Sequence, residues 1–339
     1  MLPAWLLPLF VSIYGLVFGL DEAELLFAGD AMQHVAQRDA ARTPSGDYDF
    51  SQCFRGIASM ATSADLAVVN LETPVGCPPY AGYPCFSAPA VYARELRDAG
   101  FDLFLDSLGV RHVGTYSDAA AREAALPLTV TVNGIRIAFL NYTYGTNGIS
   151  PRDGVVVDYI DHELMAADVA RARESGPDLI AVCIHWGDEY HLLPNRAQKA
   201  TADFLESLGV DLIIGGHPHV IQPMEFRPNA YFPDKNIFLV YSLGNFISNM
   251  KKPDTRGGAV ARVRMQRDFA GKVRLLDADY GLVFTEPGTS PADNFRVVPL
   301  EETTDSRAAQ FARNARQIFD NHNIGVPEAA ALAPSEISR

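Results

Sequence analysis

The chain has 339 residues, 48% hydrophobic and 20% charged, enough apolar material for one large domain or two ordinary ones. Its formal net charge of -13 argues against a sequence-independent nucleic-acid binder, because such binding needs Lys and Arg to neutralise phosphates. A small anionic substrate stays open, since bound cations can invert a local field.

From the amino terminus, residues 2–20 form one apolar run without a charged side chain, ended by Asp21 and Glu22. The run reads as a signal peptide over residues 1–20. It also reads as an N-terminal membrane anchor, because it approaches the ~20 residues that span a bilayer. A buried first helix is the third reading. Either of the first two makes the rest of the chain extracytoplasmic: in a periplasm, on a cell surface or membrane-anchored. Residues 24–28 form a short strand-like run that leads into Gly29, Asp30, Ala31, Met32, Gln33 and His34. Residues 66–70 form a second, leading into Asn70, Leu71 and Glu72. Cys77 and Cys85 flank a loop rich in Pro, Gly and Tyr. A disulfide closing that loop suits an oxidising compartment, and two unpaired thiols are the equal alternative. Helical spacing follows over residues 92–99 and a short strand over 101–105.

Further strands are expected over residues 135–142, 179–184, 212–214 and 237–241. Helices are expected over 162–174 and 196–208, ending at Ser175-Gly176 and Gly209. Cys183 lies within a strand and reads as a small core residue. Alternation of strand and helix predicts an α/β fold with helices covering sheets. Residues 257–265 and 272–284 alternate as antiparallel strands do, and the polar extension over 286–339 offers one short helix near 306–321. The expected organisation is a leader or anchor (1–20), one domain (24–285) and that extension.

The chemistry gathers where strands end. Open α/β sheets bind ligands outside the carboxyl ends of their strands. There stand Asp30, Glu72, His185, the segment Gly215-Gly216-His217-Pro218-His219, and Asn245. Two His one residue apart in a glycine-led turn can reach two metal ions or clamp one; a pair of surface His is the bland reading. Asp30 reads as a metal-binding carboxylate or a helix cap, and Glu72 as a bridging carboxylate or a solvated loop acid. His34, Asn70, His191 and Asn245 are possible additional members. Asp188 and Glu189, close after His185, fit a solvated loop equally well. Such donors accept Mn, Fe or Zn, as one or two divalent ions. A pair about 3.5–4 Å apart would activate water and clamp a phosphoryl group. No serine-nucleophile elbow, Walker loop or dinucleotide fingerprint is present.

In order, Gly29-Asp30, Asn70-Leu71-Glu72, Asn141-Tyr142-Thr143-Tyr144-Gly145, His185-Trp186-Gly187, Gly216-His217-Pro218-His219 and Ser242-Leu243-Gly244-Asn245-Phe246 resemble the CapA family of poly-γ-glutamate capsule synthesis proteins. That family looks like a branch of the metallophosphoesterase superfamily, and the resemblance covers roughly residues 24–285. It implies a four-layer α/β/β/α sandwich of the metallophosphoesterase type. It implies Asp30, Glu72, His185, His217 and His219 as the metal set, with His185 and His219 in the catalytic role. It also implies placement beside polyglutamate synthase and exporter components, with an anionic polymer or phosphoester as substrate. Three functions follow as expectations: a capsule-synthesis accessory protein, an active metal-dependent hydrolase of phosphoester or γ-glutamyl amide bonds, or a non-catalytic module that binds an anionic polymer. One segment departs from the family. An Ala-Asn-Asn-His stretch, which supplies a metal-ligating Asn and a proton-donating His in the superfamily, is expected after the strand at 101–105. Here that strand runs directly into Asp106-Ser107-Leu108-Gly109-Val110-Arg111-His112, and His112 matches a different part of the pattern. Three readings follow: a degraded member that binds one metal or none, a shortened or mis-joined version of a full gene, or a site in which another residue, Asn245 or His191, fills the gap.

Overall fold

The computed structural model describes residues 21–104, 112–290 and 293–330. The apolar run over residues 2–20 lies outside them, as do residues 105–111. The strands are, in chain order, β1 (Glu22–Ala31), β2 (Leu66–Asn70), β3 (Leu103–Phe104), β4 (Thr115–Tyr116) and β5 (Leu128–Val132). They continue with β6 (Ile135–Thr143), β7 (Val156–Val157), β8 (Leu179–His185), β9 (Leu212–Gly216) and β10 (Ile221–Pro228). The last are β11 (Asn236–Leu243), β12 (Asn245–Ile247), β13 (Gly257–Arg267), β14 (Val273–Glu286) and β15 (Arg296–Pro299).

Two large sheets result. One runs β15-β14-β13-β1-β2-β3, with β12 also paired to β1; the other runs β10-β11-β9-β8-β6-β5. In β1 the side chains divide by parity, as the two-residue period of a strand requires. Leu25 and Phe27 join the core that includes the second sheet, with Ile137, Phe139, Ile184 and Leu239. Leu26 and Ala28 face the opposite way, among Phe50 and the residues Phe54, Tyr92 and Leu96 of the helical segments Ser51–Phe54 and Ala90–Asp98. β2 divides likewise, with Leu66 and Val68 on one side and Ala67 and Val69 on the other. Burial on both faces explains why these runs are continuously apolar. The second sheet is covered by helices His162–Glu174 and Arg196–Ser207, which supply Met165, Val169 and Leu205. Their N-termini are capped by Asp161, accepting from the Leu164 N–H at 2.8 Å, and by Asn195 in a reciprocal capping box with Gln198. The architecture is the expected four-layer α/β/β/α sandwich.

The segment expected as a polar extension contributes to these layers. β15 pairs antiparallel with β14, and helix Ala308–His322 buries Phe311, Ala315 and Phe319 against Phe284 and Tyr280. At the amino ends of the parallel strands, Arg267 ties the sheets together. It donates to Asp21 at 2.9 Å and to both oxygens of Asp178 at 2.8 and 3.0 Å. Among the described residues no helix is long and apolar enough to cross a membrane. Cys183 is buried, as expected, while Cys77 and Cys85 are exposed and unpaired. Their loop is closed instead by backbone hydrogen bonds, Gly76 to Ala88 and a reciprocal pair between Ala81 and Ser87.

Candidate metal centre

Strand register brings the candidate residues together. In the first sheet Asp30 lies opposite Asn70 of β2 on one side and Asn245 of β12 on the other. In the second sheet His185 lies opposite Thr143 of β6 and Gly216 of β9. The chain crosses between the sheets at Gly244, whose carbonyl accepts the Asp30 N–H at 2.9 Å. A Cβ on Gly29 would stand 2.0 Å from that carbonyl, so only glycine allows the crossing to come so close. Gly216 is needed for a similar reason, since a Cβ there would lie 2.6 Å from Asp30 Oδ1. The turn beyond it is unusual. His217 and His219 hold φ of 96° and 57°, a region that β-carbons disfavour. Non-glycine residues persist there when surrounding contacts compensate, and they gather at functional sites.

The side chains interlock. Asp30 is fully buried; its Oδ1 accepts from Asn70 Nδ2 at 2.7 Å and its Oδ2 from the His217 backbone N–H at 3.1 Å. His219 Nδ1 lies 3.5 Å from Asp30 Oδ2, 3.7 Å from Glu72 Oε2 and 3.1 Å from Asn245 Oδ1. His185 Nε2 lies 3.4 Å from Glu72 Oε1 and 3.2 Å from His217 Nδ1. Two donor triads emerge, Glu72–His185–His217 and Asp30–Glu72–His219, each with its ligand atoms within 4.8 Å of one another. Glu72 belongs to both. Its buried Oε2 has no hydrogen-bond partner. An unpaired carboxylate oxygen is unfavourable in such a place unless something positive satisfies it. This donor set fits divalent cations: three protein ligands in each triad, with a shared carboxylate between them.

The protonation pattern agrees. Burial alone would raise Asp30, yet the approach of His219 and the charge of His185 hold its carboxyl at about 2. Burial opposes a charge on His219, but Glu72 and Asp30 push it up to about 10. His185 is also raised, with Glu72 overcoming burial. His217 is pushed down to about 3 by burial and by its His neighbours. Protons on His219 thus balance carboxylates that a metal would otherwise balance.

The remaining expected residues stand around the triads. Asn70 links the two halves, its amide lying 3.3 Å from His185 Nδ1. Asn245 is fully buried and holds His219, while its own amide donates to the Thr255 carbonyl at 2.9 Å. His34 and His191 belong to neither triad. His34 Nδ1 accepts the Asn249 N–H at 3.2 Å, and burial pushes the ring down to about 4. His191 is exposed, with Nδ1 3.1 Å from the Glu189 carbonyl. Asp188 caps the loop by accepting from Asn195 at 2.7 Å, and Glu189 and His112 also lie outside the triads. Two aromatic residues were not expected at the site. The Tyr144 ring lies 4.1 Å from that of His217, and the Tyr190 ring 6.3 Å from that of His219. Only the position of Tyr144 just past β6 hinted at this.

A shared carboxylate and three His, at facing sheet ends of an α/β/β/α sandwich, define a candidate two-metal centre. The chain belongs to the family described as bacterial capsule synthesis protein PGA_cap, which matches residues 24–105 and 104–250. The two matched stretches meet where the Ala-Asn-Asn-His segment was expected. Curated relatives include "PGA biosynthesis protein CapA" of Bacillus subtilis, 27% identical over 56% of this chain and 48% of that protein. Another is "Capsule biosynthesis protein CapA" of Bacillus anthracis, 23% identical over 86% of this chain and 76% of that protein. The chain thus spans about half the length of the first relative and about three quarters of the second. Among solved structures, the Haemophilus influenzae NAD nucleotidase NadN is 10% identical, covering 89% of this chain and 61% of that one, with a TM-score of 0.47.

Proposed function

We propose that this chain is a CapA-type accessory protein of poly-γ-glutamate capsule synthesis that works outside the cytoplasm, beside synthase and exporter components. In this reading Asp30, Glu72, His185, His217 and His219 hold two divalent ions of Mn, Fe or Zn type. The sharing of Glu72 between the two triads, with an unpartnered Oε2, carries the proposal. The ions would supply a bound water of lowered pKa and a Lewis-acid clamp. The protein's own part is placement. Asn70 fixes Asp30 and His185 relative to each other, Asn245 orients His219, and Tyr144 covers His217. His185 and His219, expected to be catalytic, are thereby assigned to holding ions.

Proton donation is the weak step. Outside the triads, burial pushes His34 down to about 4, which disfavours its charged, proton-donating form, and His191 is exposed. Loss of a general acid costs about 10²–10⁴-fold, chiefly with poor leaving groups. Turnover is therefore expected for activated esters and slow for alkyl phosphoesters or γ-glutamyl amides. Metal analysis of purified variants tests the centre. Glu72→Gln should lose both ions, whereas His217→Ala and His219→Ala should each lose one. Full metal content in Glu72→Gln would refute the shared site. A p-nitrophenyl phosphodiester hydrolysed no faster than an alkyl diester would refute the missing-acid reading.

A further inference from the structure

A second charged site stands beside the first. Lys251, Arg256, Arg307 and Arg313 line an open groove of about 490 Å³ between the loop after β12 and the start of helix Ala308–His322. This gathering of cations stands out in a chain of net charge -13. Nearby acids are engaged: Asp305 pairs with Arg307, and Asp254 accepts from Asn314 Nδ2 at 2.6 Å. Lys251, Arg256 and Arg313 have no ion-pair partner among the described residues. Burial, then Arg256 and Arg307, push Lys251 down; burial and Arg307 do the same to Arg256, against the opposing pull of Asp305. Like charges held together this way are relieved by an anion.

The loop that supplies two of these cations also reaches the metal centre. β12, which leads into it, begins at Asn245 on His219, and within the loop the Asn249 N–H binds His34. Lys252, next to Lys251, sets its ammonium 3.6 Å from the Tyr190 ring centroid, and Tyr190 neighbours His219. Cations therefore continue from the groove to the rim of the centre. We infer that the groove binds a chain bearing repeated carboxylates and leads it along Lys252 and Tyr190 toward the triads. The identity of that chain as poly-γ-glutamate rests on the proposed function; its chemistry as a flexible polyanion rests on the groove. Several separated cations and this volume suit a polymer better than one small anion.

The test is fluorescence anisotropy of a labelled γ-linked oligoglutamate with the intact protein, with free glutamate and inorganic phosphate as competitors. Arg307 and Arg313 are exposed, so reversing their charge leaves the core alone. Arg313→Glu and Arg307→Glu should each weaken oligomer binding about tenfold or more, and Arg313→Lys should restore it. Wild-type affinity should fall with salt, as exposed charge pairs require. Metal content and p-nitrophenyl ester hydrolysis should stay as in the wild type, so failure of the groove and failure of the metal centre read out separately. Unchanged affinity in Arg313→Glu would overturn the inference. So would phosphate or glutamate competing as well as the oligomer at equal concentration, which would show a single-anion pocket.

Discussion

Two buried polar clusters in this protein solve the same problem differently. Beneath helix His162–Glu174, Asp158 and Asp168 are almost fully buried, and Arg122 spans them at 2.5 Å to each. Tyr142 completes that network, its hydroxyl donating to Asp168 at 3.0 Å. A permanent cation is built into the chain there. The candidate metal centre has two carboxylates and three His and no Lys or Arg within either triad; each cluster holds one buried carboxylate oxygen without a hydrogen-bond partner, Glu72 Oε2 here and Asp158 Oδ2 there. The difference lies in the counter-charge: a guanidinium built into the chain in the first cluster, and only titratable His in the second.

The largest expected effect breaks the first cluster. Arg122→Ala strands two buried carboxylates and should destabilise the fold by about 3–5 kcal/mol, read by urea denaturation. Asp30→Asn leaves His219 its larger counter-charge, Glu72, and keeps an acceptor for Asn70, so its denaturation midpoint should move less. Equal losses in the two variants would erase the distinction. Next, Gly216→Ala places a Cβ against Asp30 and should lower metal affinity about 10–100-fold by disturbing ligand placement, with a loss of stability smaller than that of Arg122→Ala. Chelator competition measures this.

The pH dependence of the two clusters should also differ. In the metal-free protein His219 is raised from 6.5 to about 10. Its contribution to stability is thus full below 6.5 and lost as pH rises through about 10. A bound cation must displace that proton, so metal affinity should rise about tenfold per pH unit across the same window. Calorimetry in buffers of different ionisation enthalpy would detect the released proton; affinity falling with pH would contradict the assignment. The smallest effect is Tyr142→Phe, which removes one hydrogen bond from a network that keeps its Arg and should cost about 1 kcal/mol.

Much of the fold was legible in hydrophobic pattern, because strands buried on both faces must be continuously apolar. β2 has the bounds that its pattern predicts, and helix His162–Glu174 likewise. Other strands outran their apolar runs at the carboxyl end. β1 continues through Asp30, β8 takes in His185 and β9 takes in Gly215 and Gly216. These residues are polar or small, so hydropathy ends the strand early, yet they are the ones the site uses. β12 is short and joins the sheet by pairing with β1 across a long stretch of chain, which no local pattern records; β15 is short and pairs with the neighbouring β14. The cationic groove was invisible for the same reason, since Lys251 and Arg256 meet Arg307 and Arg313 only in space.

The sequence by itself singled out the candidate donors, Asp30, Glu72, His185 and the His217–His219 pair, and their order after strands. That follows because metal-binding side chains are few in kind and strand-end glycines mark close approach. Only the tertiary structure decided that Glu72 serves both triads, that Asn70 and Asn245 brace them, and that His34 and His191 stand aside. Asp30 and His217 are 187 positions apart, and their contact exists only because two sheets pack face to face in one register.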